Sequence, residues 1–235
     1  MRLILKNLKK SFDTKEVLKD ASLDFEQGKI YGLIGRNGAG KTTLFNCLNN
    51  DIVTDSGSYQ IEENGSLRNV EAEDIGYVLS TPVVPEFLTA REFLKFFLDI
   101  NKNKISSVKT IDEYMDMMMI APEDRDRLLK DYSHGMKNKM QMLVNFVADP
   151  KILLLDEPLT SFDVVVADEM KQLLRQIKKN HIIIFSTHIM ELALDLCDNI
   201  VILNDGVLKE ITKDSLDNME YKDKIIAALK GEDHA

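Results

Sequence analysis

The stretch Lys29-Ile30-Tyr31-Gly32-Leu33-Ile34-Gly35-Arg36-Asn37-Gly38-Ala39-Gly40-Lys41-Thr42 decides the fold. Its opening, KIYGLI, is apolar and rich in β-formers, which predicts a buried strand over Lys29–Ile34. Gly35–Thr42 then satisfies G-x-x-x-x-G-K-[ST], and Lys41–Asn49 carries a helical pattern. Strand, glycine loop and helix in that order make a phosphate-binding loop. Glycines at Gly35, Gly38 and Gly40 let the backbone wrap closely around phosphate oxygens. Successive N–H groups, from Gly35 through Asn37 and Ala39 to Thr43, form an anion nest at a helix N-terminus. Lys41 can reach the β- and γ-phosphates of a nucleotide, and the Thr42 hydroxyl can ligate Mg²⁺.

The second half of the site is Ile152-Leu153-Leu154-Leu155-Asp156-Glu157-Pro158. Four apolar residues end in two carboxylates, so a buried strand places the acids at its C-terminal tip. Ligands of open α/β sheets bind at that edge. Asp156 is positioned to hold Mg²⁺, directly or through water. Glu157, one residue on, can orient or deprotonate a water attacking a γ-phosphate. Two adjacent acids alone would read as a solvated loop. The Gly35–Thr42 loop is what turns them into a site.

The rest of the chain bounds the fold and excludes other classes. It has 235 residues, 44% hydrophobic and 29% charged, which is too apolar for disorder and long enough for a sizeable core without disulfide or metal staples. Apolar runs such as Met117–Ala121 and Ile225–Leu229 fall well short of the ~18 residues a membrane span needs. The N-terminus runs straight into an alternating segment and shows no signal-peptide pattern, which leads us to expect a cytoplasmic protein. The net charge of −9 and the lack of a long basic run argue against nucleic acid as a partner. Cys47 and Cys197 lie in apolar or helical settings outside any C-x-x-C and read as small core hydrophobes. The methionines Met115, Met117, Met118, Met119, Met136, Met140 and Met142 read as a flexible core rather than a soft metal site. His134, His181 and His234 show no ligand spacing.

Along the chain, strands are expected over Met1–Phe12, Val17–Phe25, Ser58–Ile61 (closed by Asn64-Gly65) and Ile75–Leu79. Helical spacing dominates from Thr89 to Val147, with helices over Glu92–Asp99, Ile111–Met119, Asp124–Asp131 and Met136–Ala148. Strands return at Lys151–Leu155 and His181–Ser186, with helices over Val164–Lys178 and Met190–Leu196. A final strand pair, Ile200–Leu203 and Val207–Glu210, closes around Asn204–Gly206. The fold class is α/β. A P-loop NTPase core carries an antiparallel β subdomain, a helical subdomain inserted at roughly 86–148 and a charged helical tail at roughly 212–235. All of it forms one domain over 1–235.

Further motifs give the chain a family resemblance. Tyr132-Ser133-His134-Gly135-Met136 stands just upstream of Asp156, Leu159-Thr160-Ser161-Phe162-Asp163 follows it, and His188 comes after Ile182–Phe185 and Ser186-Thr187. With Lys10-Ser11-Phe12 before the phosphate loop, the chain resembles the ATP-binding subunit of an ATP-binding cassette (ABC) transporter from Leu3 to about Leu208. The resemblance implies ATP and Mg²⁺ as cofactors and ATP hydrolysis to ADP and phosphate. It implies that Phe12 stacks on adenine, that Glu157 is the catalytic base and that His188 senses the γ-phosphate. Ser133 and Gly135 look like the signature pair, which faces the ATP held by a second subunit. Asp163 belongs to the segment that the family calls the D-loop. Two sandwiched ATPs imply a homodimer, or a heterodimer with a related subunit. A separate transmembrane permease is implied as well, with the chain peripheral on the cytoplasmic face of the membrane and docked near Ser80–Glu92.

Two positions depart from the family pattern. Ser80 stands where the family has a glutamine that ligates Mg²⁺, and its short hydroxyl would reach the ion only through water. His134 and Met136 replace Gly and Gln of L-S-G-G-Q, as in export-type transporters, while Ser133 and Gly135 are kept. Export is therefore the expected direction. The rival reading is a soluble ABC ATPase of translation or chromosome maintenance, but the chain has neither a second cassette nor a long coiled coil. A P-loop GTPase would want N-K-x-D, which Asn101-Lys102 and Asn138-Lys139 do not provide.

Overall fold

A computed structural model describes residues 1–105, 109–211 and 218–230. Among the described residues ten strands form one sheet; numbered in chain order, they lie side by side as β5-β4-β1-β2-β10-β9-β3-β8-β7-β6. Its functional half is parallel: β3 (Ile30–Ile34), β8 (Ile182–Thr187), β7 (Ile152–Asp156) and β6 (Ile75–Val78). Every residue of β3, β7 and β8 is buried, the pattern of parallel strands covered on both faces. Successive side chains alternate between two cores. Leu153, Leu155, Ile183 and Phe185 face the helical layer, while Ile152, Leu154, Ile182 and Ile184 face helix α1 (Lys41–Leu48) and the antiparallel strands.

The strand order builds the site. Because β3, β8 and β7 are parallel neighbours, their C-terminal ends share one edge, with Ile34 opposite Thr187 and Ser186 opposite Asp156. The phosphate loop, the carboxylates and the histidine segment thus meet there, although long stretches of chain separate them.

The antiparallel half pairs β1 (Arg2–Phe12) with β2 (Lys15–Glu26) and with β4 (Ser56–Glu63). It also contains β5 (Ser66–Asn69), a strand the sequence reading lacked. Asn64 and Gly65 both have positive φ, at 53° and 78°, as a two-residue hairpin turn requires. The Asn-Gly pair therefore joins two strands rather than closing one.

The helical layer holds α2 (Ala90–Asn101), α3 (Ile111–Met117) and α4 (His134–Ala148). Thr89 with Glu92, and Thr110 with Glu113, form capping boxes that start the first two. Met115, Met118, Met140 and Met142 are fully buried among them. The helix expected over Asp124–Asp131 does not form; short 3₁₀ turns at Pro122–Asp124 and Leu129–Asp131 take its place. The backbone there spends its hydrogen bonds elsewhere. Leu129 N–H donates to Leu88 O (2.8 Å) and Lys130 N–H to Glu86 O (3.1 Å). The Arg125 side chain turns inward to the Ile120 carbonyl and Asp112.

The chain continues through α5 (Val164–Ile177), α6 (Met190–Leu196), β9 (Asn199–Asn204) and β10 (Val207–Ile211). Helix α7 (Asn218–Lys230) then packs Tyr221, Ile225 and Ala228 against Ile200 and Ile202 of β9. The remaining parts of the expected tail, 212–217 and 231–235 with His234, lie outside the described residues. Among the described residues no helix is long and apolar enough to cross a membrane.

Candidate active site

The loop between β3 and α1 is shaped by close approaches. A Cβ on Gly35 would lie 2.7 Å from Leu203 O, and one on Gly40 would lie 2.7 Å from Val17 Cγ1. Gly40 also has φ 106°, and no side chain caps α1, so the amides at its start are left for a ligand. Lys41 is only 8% exposed. Its ammonium donates to the Gly35 carbonyl at 2.7 Å. Burial pulls the Lys41 pKa below its ordinary value, and the charges of Glu157 and Asp156 oppose that shift.

The loop opens onto a cleft of about 660 Å³, lined by Asn37, Gly38, Ala39, Gly40, Lys41, Thr42, Thr43, Ser80, Asp156 and Glu157, with Phe12 and its neighbours at one side. Thr42 Oγ1 donates to Asp156 Oδ2 at 2.8 Å, across more than a hundred residues of sequence. Asp156 is 3% exposed and also accepts from the Ser186 hydroxyl. This donor set suits Mg²⁺, a hard cation that takes one or two protein oxygens and completes its shell with phosphate oxygens and water. No larger cluster of three or more His, Cys, Asp or Glu side chains fit for a metal occurs among the described residues.

Glu157 adopts φ 49°, the left-handed region that a non-glycine residue enters at a cost of about 1–3 kcal/mol. Its N–H donates to Ser186 O and to Ser186 Oγ, each at 3.2 Å, and these bonds hold the strained backbone. The carboxylate meets His188 Nδ1 at 2.9 Å. The two predicted catalytic side chains are thus partners, although only Glu157 lines the cleft and His188 does not. Phe12 is 43% exposed and lines its side. Gly35 does not line the cleft but supplies the carbonyl that orients Lys41.

Ser133, Gly135 and Asp163 stand elsewhere. None of them lines the cleft. The Ser133 hydroxyl accepts from Met136 N–H at 3.2 Å as the N-cap of α4. Asp163 caps α5 by accepting from Val165 and Val166 N–H, both at 3.0 Å. Gly135 packs so closely on the following loop that a Cβ would lie 2.9 Å from Ser161 O. Asn138, buried on α4, donates to Pro158 O at 2.6 Å and ties the same two segments together.

Sequence reasoning had no role for Ser186 or Asn138. Ser186 could have been found as one of two polar residues, with Thr187, that end an otherwise apolar buried strand. Asn138 carries no such signal, because its partners, the Pro158 carbonyl and the Ser161 hydroxyl, are brought in by packing. The cysteines match expectation: Cys47 is buried, which pushes its thiol up to about 11, and Cys197 is half-buried and likewise raised.

Comparison with known proteins places this geometry. Residues 18–160 match the family model described as ABC transporter. The chain is 34% identical to human ATP-binding cassette sub-family A member 6 over 87% of its length, but spans only 13% of that protein. It is 30% identical to the uncharacterized ABC transporter ATP-binding protein YdbJ of Bacillus subtilis, covering 88% of this chain and 68% of that one. It is 31% identical to the sulfate/thiosulfate import ATP-binding protein CysA 2 of Agrobacterium fabrum, covering 88% and 62%. A solved ATP binding subunit of an ABC transporter superposes with TM-score 0.80 at 23% identity, over 96% of this chain and all of that one, which shows the shared fold. With the matched segment running from β2 past the phosphate loop and both carboxylates, the chain belongs to the ABC transporter family, as an ATP-binding cassette.

Proposed function

We propose that the chain hydrolyses Mg-ATP to ADP and phosphate and, as a dimer, powers export through a separate transmembrane permease at the cytoplasmic face of the membrane. The observation that carries the hydrolytic part is the convergence of Lys41, Thr42, Asp156, Glu157 and His188 on one sheet edge. Thr42 and Asp156 would hold Mg²⁺, whose charge offsets that of the phosphates. Lys41 binds the β- and γ-phosphates. Glu157 takes a proton from water as the water oxygen bonds to the γ-phosphorus and the bond to the bridging oxygen breaks, releasing ADP. His188, hydrogen-bonded to Glu157, keeps that carboxylate oriented and contacts the γ-phosphate. Phe12 takes the adenine.

The dimer reading rests on the placement of Ser133 and Gly135 outside the chain's own cleft, at the start of a fifteen-residue helix whose N-terminus suits a phosphate. Asp163, in the neighbouring loop, belongs to the same interface. The chain carries both halves of the composite site, so two copies suffice. The permease reading rests on an apolar cleft between segment 83–88 and α2, lined by Val83, Val84, Pro85, Phe87, Leu88, Phe93 and Phe96. Val83 and Phe87 are 71% and 79% exposed there. Large apolar side chains held in water mark an interaction surface. Export rests on the form of the signature segment. The test is purification of the chain from membranes with its partner. A stoichiometric multi-span protein, ATPase activity and outward substrate movement are expected; inward movement would reverse the direction, and recovery without such a protein would remove the transport role.

Ser80 lines the cleft beside Asp156. A serine oxygen ends too near its Cβ to reach far, and Mg²⁺ keeps water readily. We therefore assign Ser80 to a water-mediated contact. Ser80→Ala should leave the ATPase activity of the isolated chain within about twofold, and Ser80→Gln should keep ATP affinity within a few-fold, since Thr42 and Asp156 already hold the ion. A collapse of hydrolysis in Ser80→Ala would make the hydroxyl a direct ligand.

A further inference from the structure

The tip of the β1–β2 hairpin, which presents Phe12, outruns its support. Pairing between β1 and β4 ends at Lys9 opposite Ser56, whereas β1 and β2 stay paired up to Phe12 opposite Lys15. The residue just before β4, Asp55, reaches across this gap. Its N–H donates to Lys9 O at 2.9 Å. Its carboxylate accepts from Ser11 N–H at 2.6 Å and from Lys10 Nζ at 3.0 Å. The ammonium so held lies 5.4 Å from the centroid of the Phe12 ring. The Lys10 side chain is 15% exposed and does not line the cleft, whereas Phe12 does both line it and remain open.

We propose that Asp55 is a positioning residue for the nucleotide base: it pins the hairpin backbone at Ser11 and holds the Lys10 ammonium over the Phe12 ring, so that the ring stands ready for a purine in the cleft. The proposal rests on the nucleotide reading of the cleft given above. Its physics is preorganisation. An exposed phenyl group at a hairpin tip samples several rotamers, and each one excluded before binding is one that binding need not freeze. A cation over an aromatic ring is attracted by its quadrupole, which restrains the ring without occupying the side that faces the cleft. The two bonds to Asp55 also draw its pKa below the ordinary carboxylate value, the Lys10 contact more than the Ser11 N–H, so the clamp is charged at neutral pH. Both residues lie in the antiparallel half, apart from every group assigned to the phosphates.

The prediction separates base from phosphate. Calorimetric titrations with ADP, and competition of inorganic pyrophosphate against ADP, probe the same cleft with and without a base, and neither probe is hydrolysed. Asp55→Asn and Lys10→Gln should each weaken ADP about three- to tenfold while pyrophosphate stays within about twofold. Phe12→Ala, the benchmark, should show the same split more strongly, and Lys10→Gln in the Phe12→Ala background should add little further loss. Equal weakening of both probes would reduce Asp55 to a general structural role, and unchanged ADP affinity in both single variants would remove the clamp. Should Asp55→Asn fold poorly, Lys10→Gln alone decides, because it leaves the Ser11 bond intact. Wild-type protein that binds neither probe would overturn the nucleotide reading itself, a result distinct from a wild-type protein that binds both while the variants show no split.

Discussion

Glu157→Gln is expected to bind Mg-ATP about as well as the wild type and to hydrolyse it at least about a hundredfold more slowly, the contribution typical of a positioned general base. The exchange keeps the size and shape of the side chain. It also leaves the backbone free to keep its φ of 49° and its two bonds to Ser186, because these involve only the Glu157 N–H. What is lost is a proton acceptor. An amide can still hydrogen-bond His188 Nδ1 but cannot take a proton from water. ATP should therefore persist between two cassettes, and the variant should run as an ATP-dependent dimer in gel filtration. Phosphate release in a single turnover, with the permease present if the native assembly requires it, is the direct measurement. Hydrolysis within tenfold of wild type would remove Glu157 from the role of base, and a persistently monomeric variant at saturating ATP would remove the sandwich.

Lys41→Ala is expected to lose ATP affinity by about ten- to a hundredfold, equivalent to the roughly 1.5–3 kcal/mol of a hydrogen bond to a charged group. Lys41 is 8% exposed and preorganised by the Gly35 carbonyl, so its ammonium needs little reordering to meet a phosphate. The same burial that pulls its pKa down makes the cation more valuable once two or more phosphate charges arrive in the cleft. Loss of a poorly solvated charge can itself steady the nucleotide-free fold, so the melting temperature without ligand should hold or rise while ligand-induced stabilisation vanishes. Wild-type affinity in a calorimetric titration would contradict the assignment. The two substitutions thus act on opposite parameters: Lys41→Ala on binding and Glu157→Gln on turnover.

Several elements of this protein were legible because their hydrogen bonds are local. Gly35–Thr42 is a phosphate loop by its own residues, since glycine geometry and a helix start lie within one short stretch. The buried strands Ile30–Ile34, Ile152–Asp156 and Ile182–Thr187 declare themselves as apolar runs. Helix α4, expected from Met136, begins instead at His134, where the Ser133 hydroxyl caps it. The segment Asp124–Asp131 misled, because helical spacing says nothing of a rival backbone partner; Leu88 and Glu86 supply it from another part of the chain. Strand order was likewise beyond the sequence. Only the placement of β8 between β3 and β7 brings Ser186 onto Asp156 and His188 onto Glu157. Only the register of β1 on β4 sets Asp55 beside Lys10 and Ser11. Residue types and short-range periodicity specify what each segment can do, because caps, turns and apolar faces are satisfied within a few residues. Which segments meet depends on pairings whose alternatives look alike in sequence, and the burial of the whole sheet between its two cores selects among them.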